Sequence, residues 1–314
     1  MICLGLIINM NNSSLMICHT PFQTLLAEQV LDYEHDRNCQ LFYFSDIDNA
    51  QQRKYYNRLG RKAVVKEFYT SGKSILRYYY YLRKRFRGVK YDKVYVSSLN
   101  SSYVNFILSF ISFESLITFD DGSANVVYDS FLYKENSKIK TMLYRVLGAR
   151  FPLNKIKNQI SRHYTIYRNK KNVSEVLYYI EPCYNVERRI ESISTGRIRV
   201  FLGSAFEQIS TDIDKLKTSI EGYFNSNDFY IKHPRSKIEF NNITSIVSND
   251  IAEEIILKLL DSCEMVELYG FYSSTQLNMM GLKGVRCFCL NSSHLDDSTV
   301  SMILDQNEFK VLEI

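Results

Sequence analysis

Short runs of β-branched and aromatic residues punctuate the N-terminal part of the chain, at Leu15–Cys18, Gln40–Phe44, Ala63–Phe68, Lys93–Val96 and Leu116–Phe119. Between them apolar residues recur at i, i+3 and i+4, as in Phe22-Leu25-Leu26-Val30 and Ile75-Tyr78-Tyr79-Leu82, the spacing that lines one face of a helix. This alternation predicts a parallel sheet covered by helices, with the functional site at the carboxyl ends of the strands. The rhythm weakens between Lys134 and Arg197, where a helix-like Ile139–Leu147 and one short strand candidate, His163–Tyr167, are set in charged sequence. It resumes with strands predicted at Ile198–Leu202, Phe229–Lys232, Met265–Tyr269 and Val285–Leu290. Helical patterns at Asp212–Phe224, Ala252–Leu260 and Thr275–Met280 separate these. The expected architecture is α/β, two doubly wound domains facing a central cleft: residues 1–155, a connecting segment 156–197, and residues 198–314.

Composition narrows the classes. With 314 residues, 46% hydrophobic and 23% charged, and only 12 Gly and 4 Pro, the chain can bury a sizeable core and is neither disordered nor fibrous. It contains no GxGxxG or GxxxxGK[ST] phosphate loop. Seven scattered cysteines (Cys3, Cys18, Cys39, Cys183, Cys263, Cys287, Cys289), mostly in apolar runs, predict reduced, buried thiols in the cytoplasm. Cys287 and Cys289 form a CxC in a strand-like run without a second Cys or His pair, so no metal site is expected there. The opening Met1–Met10 run is apolar but too short to span a bilayer, which takes ~18 residues, and it lacks the basic flank of a signal peptide. A soluble or peripheral protein is expected.

The net charge is a mild +5, but it is not evenly spread: Lys73–Lys93 holds eight Lys/Arg against one Asp, interleaved with Tyr and Phe. An amphipathic helix on an anionic inner-membrane surface would use such a stretch, with its rings at headgroup depth. A solvated helix face whose tyrosines lie partly in the core would look the same. A phosphate backbone also attracts this composition, but nucleic acid is the weakest of the three readings and is not expected as a partner.

Four strand ends carry candidate chemistry. Phe119-Asp120-Asp121-Gly122 follows a strand, and Gly122 permits a sharp turn that sets two carboxylates on the rim. The pair is either an Asx turn capping the next helix or a means of holding a sugar hydroxyl or orienting a catalytic group. In Phe229–Arg235, Pro234 stops the strand and fixes His233 at its carboxyl end, flanked by Lys232 and Arg235 as partners for an anionic phosphate. A purely structural His accounts for the pattern equally well. Ser273, Ser274 and Thr275 open a helix just after a strand, either as a phosphate seat or as a plain N-cap. Gly203-Ser204, with Glu207 three residues on, resembles a capping box when taken alone.

Together these segments resemble the bacterial sialyltransferases of glycosyltransferase family 52, which sialylate lipooligosaccharide. The resemblance runs in one order through Cys18-His19-Thr20-Pro21-Phe22-Gln23, Thr118–Asn125, His163-Tyr164-Thr165-Ile166, Val200–Ser204, His233-Pro234-Arg235, Glu253-Glu254 and Phe271-Tyr272-Ser273-Ser274. It implies a GT-B fold of two Rossmann-like domains, CMP-sialic acid as donor, a terminal galactoside as acceptor, and inversion without a metal or other cofactor. By the same resemblance His233 is the general acid on the departing CMP, and Ser273 and Ser274 hold its phosphate. Glu253 holds the ribose, and Ile231, Lys232, Pro234 and Arg235 wall the nucleotide beside Gly203 and Ser204. Thr20, Gln23, Asp120, Gly122 and Asn125 fall on the acceptor side.

The general base departs from the pattern. A meningococcal member of the family has Asp two residues after the Gly-Ser turn; here that position is Phe206, and Glu207 follows. Glu207 is the leading candidate and Asp121 its rival. Another nucleotide sugar such as UDP-glucose, or a catalytically silent nucleotide- or glycan-binding protein, are the alternative readings. Linkage, exact acceptor and a possible homodimer stay open.

Overall fold

The computed structural model describes residues 13–70, 72, 74–127, 130, 132–134, 137–182 and 194–314. The Met1–Met10 run, Cys3, Lys73 and Cys183 lie outside the described residues. The chain divides into two units, Met1–Asn185 and Val186–Ile314.

In the first unit the strands are β1 (Ser14–Cys18), β2 (Cys39–Ser45), β3 (Val65–Thr70), β4 (Lys90–Val96), β5 (Ser112–Phe119), β6 (Ile160–Thr165) and β7 (Leu177–Tyr179). The helices are α1 (Pro21–Tyr33), α2 (Ala50–Leu59), α3 (Ile75–Phe86), α4 (Ser102–Phe110), α5 (Lys138–Val146) and α6 (Leu153–Lys157). The sheet order is β3-β2-β1-β4-β5-β6-β7, with every pairing parallel. Every residue of β1 and β2 is buried, as strands covered on both faces must be, whereas the terminal strand β7 is exposed throughout. Side-chain caps start the helices: the Thr20 hydroxyl accepts from the Gln23 amide with Pro21 at the first helical position, and Asn49, Ser74 and Ser101 cap α2, α3 and α4.

The core beneath α3 and α4 is aromatic. Phe44 stacks on Tyr103 at 4.2 Å, Tyr78 on Tyr103 at 4.4 Å, and Tyr69 on Tyr81 at 4.1 Å, with Phe86 edge-on to Phe42 at 5.1 Å. Tyr78, Tyr79, Leu82 and Phe86 of the basic stretch 73–93 are therefore core residues. Of the rings that a membrane-surface reading would set at headgroup depth, Tyr78, Tyr79 and Phe86 point into the protein, as the solvated-face reading expects, because the helix's apolar stripe has a sheet to cover. Only Tyr80 and Leu76 of its large apolar side chains stay exposed, beside Arg77, Arg83, Lys84 and Arg87.

The second unit contains β8 (Ser194–Leu202), β9 (Phe229–Ile231), β10 (Thr244–Ser245), β11 (Cys263–Gly270), β12 (Val285–Asn291) and β13 (Lys310–Glu313). Its helices are α7 (Phe206–Ile209), α8 (Ile213–Tyr223), α9 (Ala252–Leu260), α10 (Ser274–Met279) and α11 (Asp297–Asp305). Again all pairings are parallel, in the order β10-β9-β8-β11-β12-β13. Phe201 centres the packing, with Phe224, Tyr230, Phe240, Phe271 and Phe206 around it at 5.2–6.3 Å. The expected connecting segment 156–197 contributes β6 and β7 to the first sheet and the start of β8 to the second. Among the described residues no helix is long and apolar enough to cross a membrane.

Candidate active site

In both sheets the chain order reverses beside the central strand, between β1 and β4 in the first and between β8 and β11 in the second. The carboxyl ends flanking such a switch point form a crevice in doubly wound folds. In the first unit those ends bring together His19 after β1, Ser98 after β4 and Asp121 after β5. Gln23, one turn into α1, ties them: its Nε2 donates to Asp121 Oδ1 at 2.5 Å and to Ser98 Oγ at 2.8 Å, while its Oε1 accepts from the His19 amide at 2.7 Å. Ser98 gives its proton to Asp121 Oδ2 at 2.9 Å, and the His19 ring stands 3.3 Å from the same hydroxyl. The Asp121 carboxylate is thus fixed by two neutral donors on a partly open rim. Burial pushes the His19 imidazole below its ordinary range, against the fields of Asp121 and Asp46.

Asp120, the other half of the pair, points the opposite way. It is fully buried, with Oδ1 3.0 Å from His163 Nε2 and 3.2 Å from Asn172 Nδ2, and Oδ2 accepting from the Ile166 amide at 2.8 Å. Thr118 Oγ1 holds the other His163 nitrogen at 2.7 Å. Asp120 therefore fastens β5 to β6 and the loop beyond it, behind the rim rather than on it. Asn125 is equally buried and accepts from the Asp121 amide at 2.5 Å. Gly122 has φ +66°, a conformation that other residues adopt with strain.

In the second unit Gly203 lies so close to the next strand that a Cβ on it would stand 2.8 Å from the His233 nitrogen and 2.9 Å from the Tyr230 hydroxyl. This lets the β8 and β9 ends meet. His233 is half-buried; the Arg235 amide donates to its Nδ1 at 3.2 Å, which leaves Nε2 as the nitrogen that carries the ring's proton. Burial, and then the Arg235 charge, press the His233 pKa below its usual value, while the Glu207 carboxylate pulls it up. Glu207, exposed in the first turn of α7, is thus within electrostatic reach of His233. Phe206 is core, packed on Phe201, Phe240 and Phe271. Ile231 is buried; Lys232 is ion-paired with Glu239; Pro234 and Arg235 are exposed.

The two serines differ. Ser273 closes a capping box with Gln276: its hydroxyl accepts from the Gln276 amide at 3.2 Å and its amide donates to Gln276 Oε1 at 2.8 Å. Ser274 is exposed at the first helical position, and Ser204 is partly exposed after β8. Glu253 is buried against Asn278, whose Nδ2 donates to Oε1 at 2.7 Å, and burial raises its pKa. The first unit thus gathers Thr20, Gln23 and Asp121 on one rim, and the second gathers Gly203, Ser204, Glu207 and His233 on another. His19 and Ser98 were not singled out from the sequence as site residues. The available signal was position, since His19 directly follows β1 and Ser98 stands two residues past the end of β4, both central parallel strands.

Comparison with known proteins fits this arrangement. The chain is 27% identical over 291 residues, 89% of its length and 92% of the relative's, to an N-acetyllactosaminide alpha-2,3-sialyltransferase of Haemophilus influenzae. It is 29% identical over 278 residues, 85% and 87% of the two chains, to a CMP-N-acetylneuraminate:beta-galactoside alpha-2,3-sialyltransferase of Pasteurella multocida. Among solved structures, a glycosyltransferase of Arabidopsis thaliana complexed with UDP-L-rhamnose superimposes with TM-score 0.51 at 9% identity, covering 97% of this chain and 86% of that one. The glycotransferase of kitacinnamycin does so with TM-score 0.50 at 9% identity, covering 96% and 87%. These likenesses establish the fold, two Rossmann-like domains of GT-B type. The model of glycosyltransferase family 52 matches residues 36–293, and the chain belongs to that family of glycosyltransferases.

Proposed function

We propose that the protein is an inverting α-2,3-sialyltransferase that moves sialic acid from CMP-sialic acid to a terminal galactoside of a cell-surface glycan, on the cytoplasmic side of the inner membrane and without a metal. The linkage follows the names of the relatives, and the donor, the inversion and the glycan context follow the family resemblance. One observation carries the reading: His233 is held half-buried just past a strand's carboxyl end and beside Arg235, where its imidazolium can present a proton to a leaving phosphate. In the reaction the acceptor hydroxyl loses its proton to a carboxylate and its oxygen bonds to the anomeric carbon. The bond from that carbon to the CMP phosphate breaks with its electron pair leaving on the phosphate oxygen, which takes the proton of His233.

Displacement with inversion needs the base and the acid on opposite faces of the sugar. Because the Glu207 charge is felt at His233, we assign Glu207 to the phosphate side. We therefore take Asp121, the rival candidate, as the base; Gln23 and Ser98 fix its carboxylate on the rim of the first unit. Incubation with CMP-sialic acid and a labelled lactoside should give one sialylated product, cleaved by an α-2,3-specific sialidase, and CMP but not UDP should raise the melting temperature. Stabilisation by UDP alone would replace the donor. CMP binding without transfer would make the protein a silent nucleotide binder.

A further inference from the structure

The turn that follows β6 takes no part in the proton transfers derived above, yet the Asp-Asp-Gly pair fixes its place in the fold. Ile166 on one side of it and Asn172 on the other both bond Asp120: the Ile166 amide donates to Oδ2 at 2.8 Å and Asn172 Nδ2 to Oδ1 at 3.2 Å. Thr165 adds a second brace, its Oγ1 accepting from Asn172 Nδ2 at 3.2 Å and from the Tyr167 amide at 3.1 Å. Asp120 is fully buried, and Ile166, Tyr167, Asn172 and Val173 are buried with it, so the stem of the turn is pinned inside the protein. The tip is the opposite. Arg168, Asn169 and Lys171 are exposed and Lys170 is half-buried, with Asn169 in the left-handed region at φ +56°.

The charge of that tip selects what it meets. Residues 166–174 contain three cations, Arg168, Lys170 and Lys171, and no Asp or Glu. A charge run that serves only solubility needs no buried carboxylate to hold its stem. The Arg168 guanidinium also lies over the Tyr179 ring of β7, 4.0 Å from its centre, which orients it at the tip. Strands β5 and β6 are hydrogen-bonded neighbours, with Phe119 opposite Tyr164, so the turn stands at the same carboxyl edge as Asp121, one strand over. Strands so paired are about 4.8 Å apart. The proposed donor phosphate site belongs to the second unit, which leaves this positive charge to the acceptor. A guanidinium fork with two ammonium groups suits a phosphate or a carboxylate.

We propose that Arg168, Lys170 and Lys171 form an acceptor subsite for an anionic group, a phosphate or a carboxylate that the glycan carries beside its terminal galactoside. The inference rests on the acceptor side of the proposed transfer being this rim of the first unit. The test uses three lactosides that differ only in an aglycone ending in a hydroxyl, a phosphate or a carboxylate, followed for transfer from CMP-sialic acid and, by calorimetry with CMP present, for binding. The charged lactosides should show kcat/KM about tenfold above the neutral one, through KM, and the ratio should shrink as salt rises. A preference for the phosphate alone assigns the subsite to phosphorylated glycans, and for the carboxylate alone to glycans with a sugar acid. Each of Arg168→Gln, Lys170→Gln and Lys171→Gln should lower the ratio about two- to fivefold, as loss of an exposed ion pair does, and the triple variant should treat the three lactosides alike. Each protein is its own reference, so a general loss of activity leaves the ratio unaffected. Equal use of the three lactosides by the unaltered enzyme overturns the inference while the transferase reading stands, as does a preference that survives in the triple variant. No transfer to any lactoside overturns the transferase reading instead, and calorimetry then decides the subsite. Tighter binding of a charged lactoside, lost in the triple variant, upholds it; equal or absent binding overturns it.

Discussion

At the scale of the residue, identical side chains divide by environment. Asp120 and Asp121 are neighbours, yet one is sealed among His163, Asn172 and the Ile166 amide and the other is held open by Gln23 and Ser98. Asp121→Asn should lower kcat by 10²–10⁴-fold, on the order of a lost proton-transfer group, with CMP affinity retained. Glu207→Gln should keep most of the turnover; the opposite ranking would make Glu207 the base. The pH profile separates their roles further. Burial and Arg235 lower the His233 pKa, so its protonated form is lost as pH rises through a value under 6.5, and kcat/KM should fall along that limb. The limb in kcat should sit at higher pH, because a bound phosphate's negative charge favours the imidazolium. Glu207 raises the His233 pKa, so Glu207→Gln should move the kcat/KM limb to lower pH, whereas His233→Asn should remove it. A limb that survives in His233→Asn assigns the titration elsewhere.

At the scale of the element, Asp120 ties strands together. Asp120→Ala would strand the His163 ring and the Asn172 amide inside the protein, and urea unfolding should show a loss of about 3–5 kcal/mol, the usual cost of breaking a buried pair. An acceptor-binding role would instead leave stability intact and raise the acceptor KM. Nothing in Asp-Asp-Gly distinguishes the two carboxylates, because the distinction is made by residues distant in the chain, His163, Ile166 and Asn172 for Asp120 and Gln23 and Ser98 for Asp121. The central strands were legible where apolar residues dominate them: β1, buried throughout, and β8, in spite of Arg199, both end where the pattern ends. The short outer strands β7, β10 and β13 were not, since an edge strand of two to four residues has no pattern long enough to recognise. Strand β3 was displaced by two residues because the apolar Ala63 and Val64 lie in the turn before it, where Val64 is exposed. Helix α3 shows the converse limit. Its spacing was readable, but whether its tyrosines met lipid or protein depended on Phe42, Tyr69 and Tyr103, contributed by other elements.

At the scale of the whole molecule, the charge surplus is not confined to the stretch where composition first locates it. The cations of α3 and those of residues 138–157 belong to one helical layer, although about fifty residues of mostly unrelated sequence separate them. A window sliding along the chain sees two moderate basic runs, and only the fold shows that the helices carrying them both pack on Phe106 of α4. The same distance in sequence hid the first rim, whose His19, Ser98 and Asp121 come from three strand ends.

Each sheet is assembled from one uninterrupted stretch of chain, β1 to β7 and then β8 to β13. Protein synthesis delivers these strands in order, so the first unit can close around β1 as soon as β7 clears the ribosome, while the second is still being made. Parallel strands pair slowly and leave sticky edges while they wait. Here each edge waits only for strands of its own half, so the first sheet can be completed without any strand of the second.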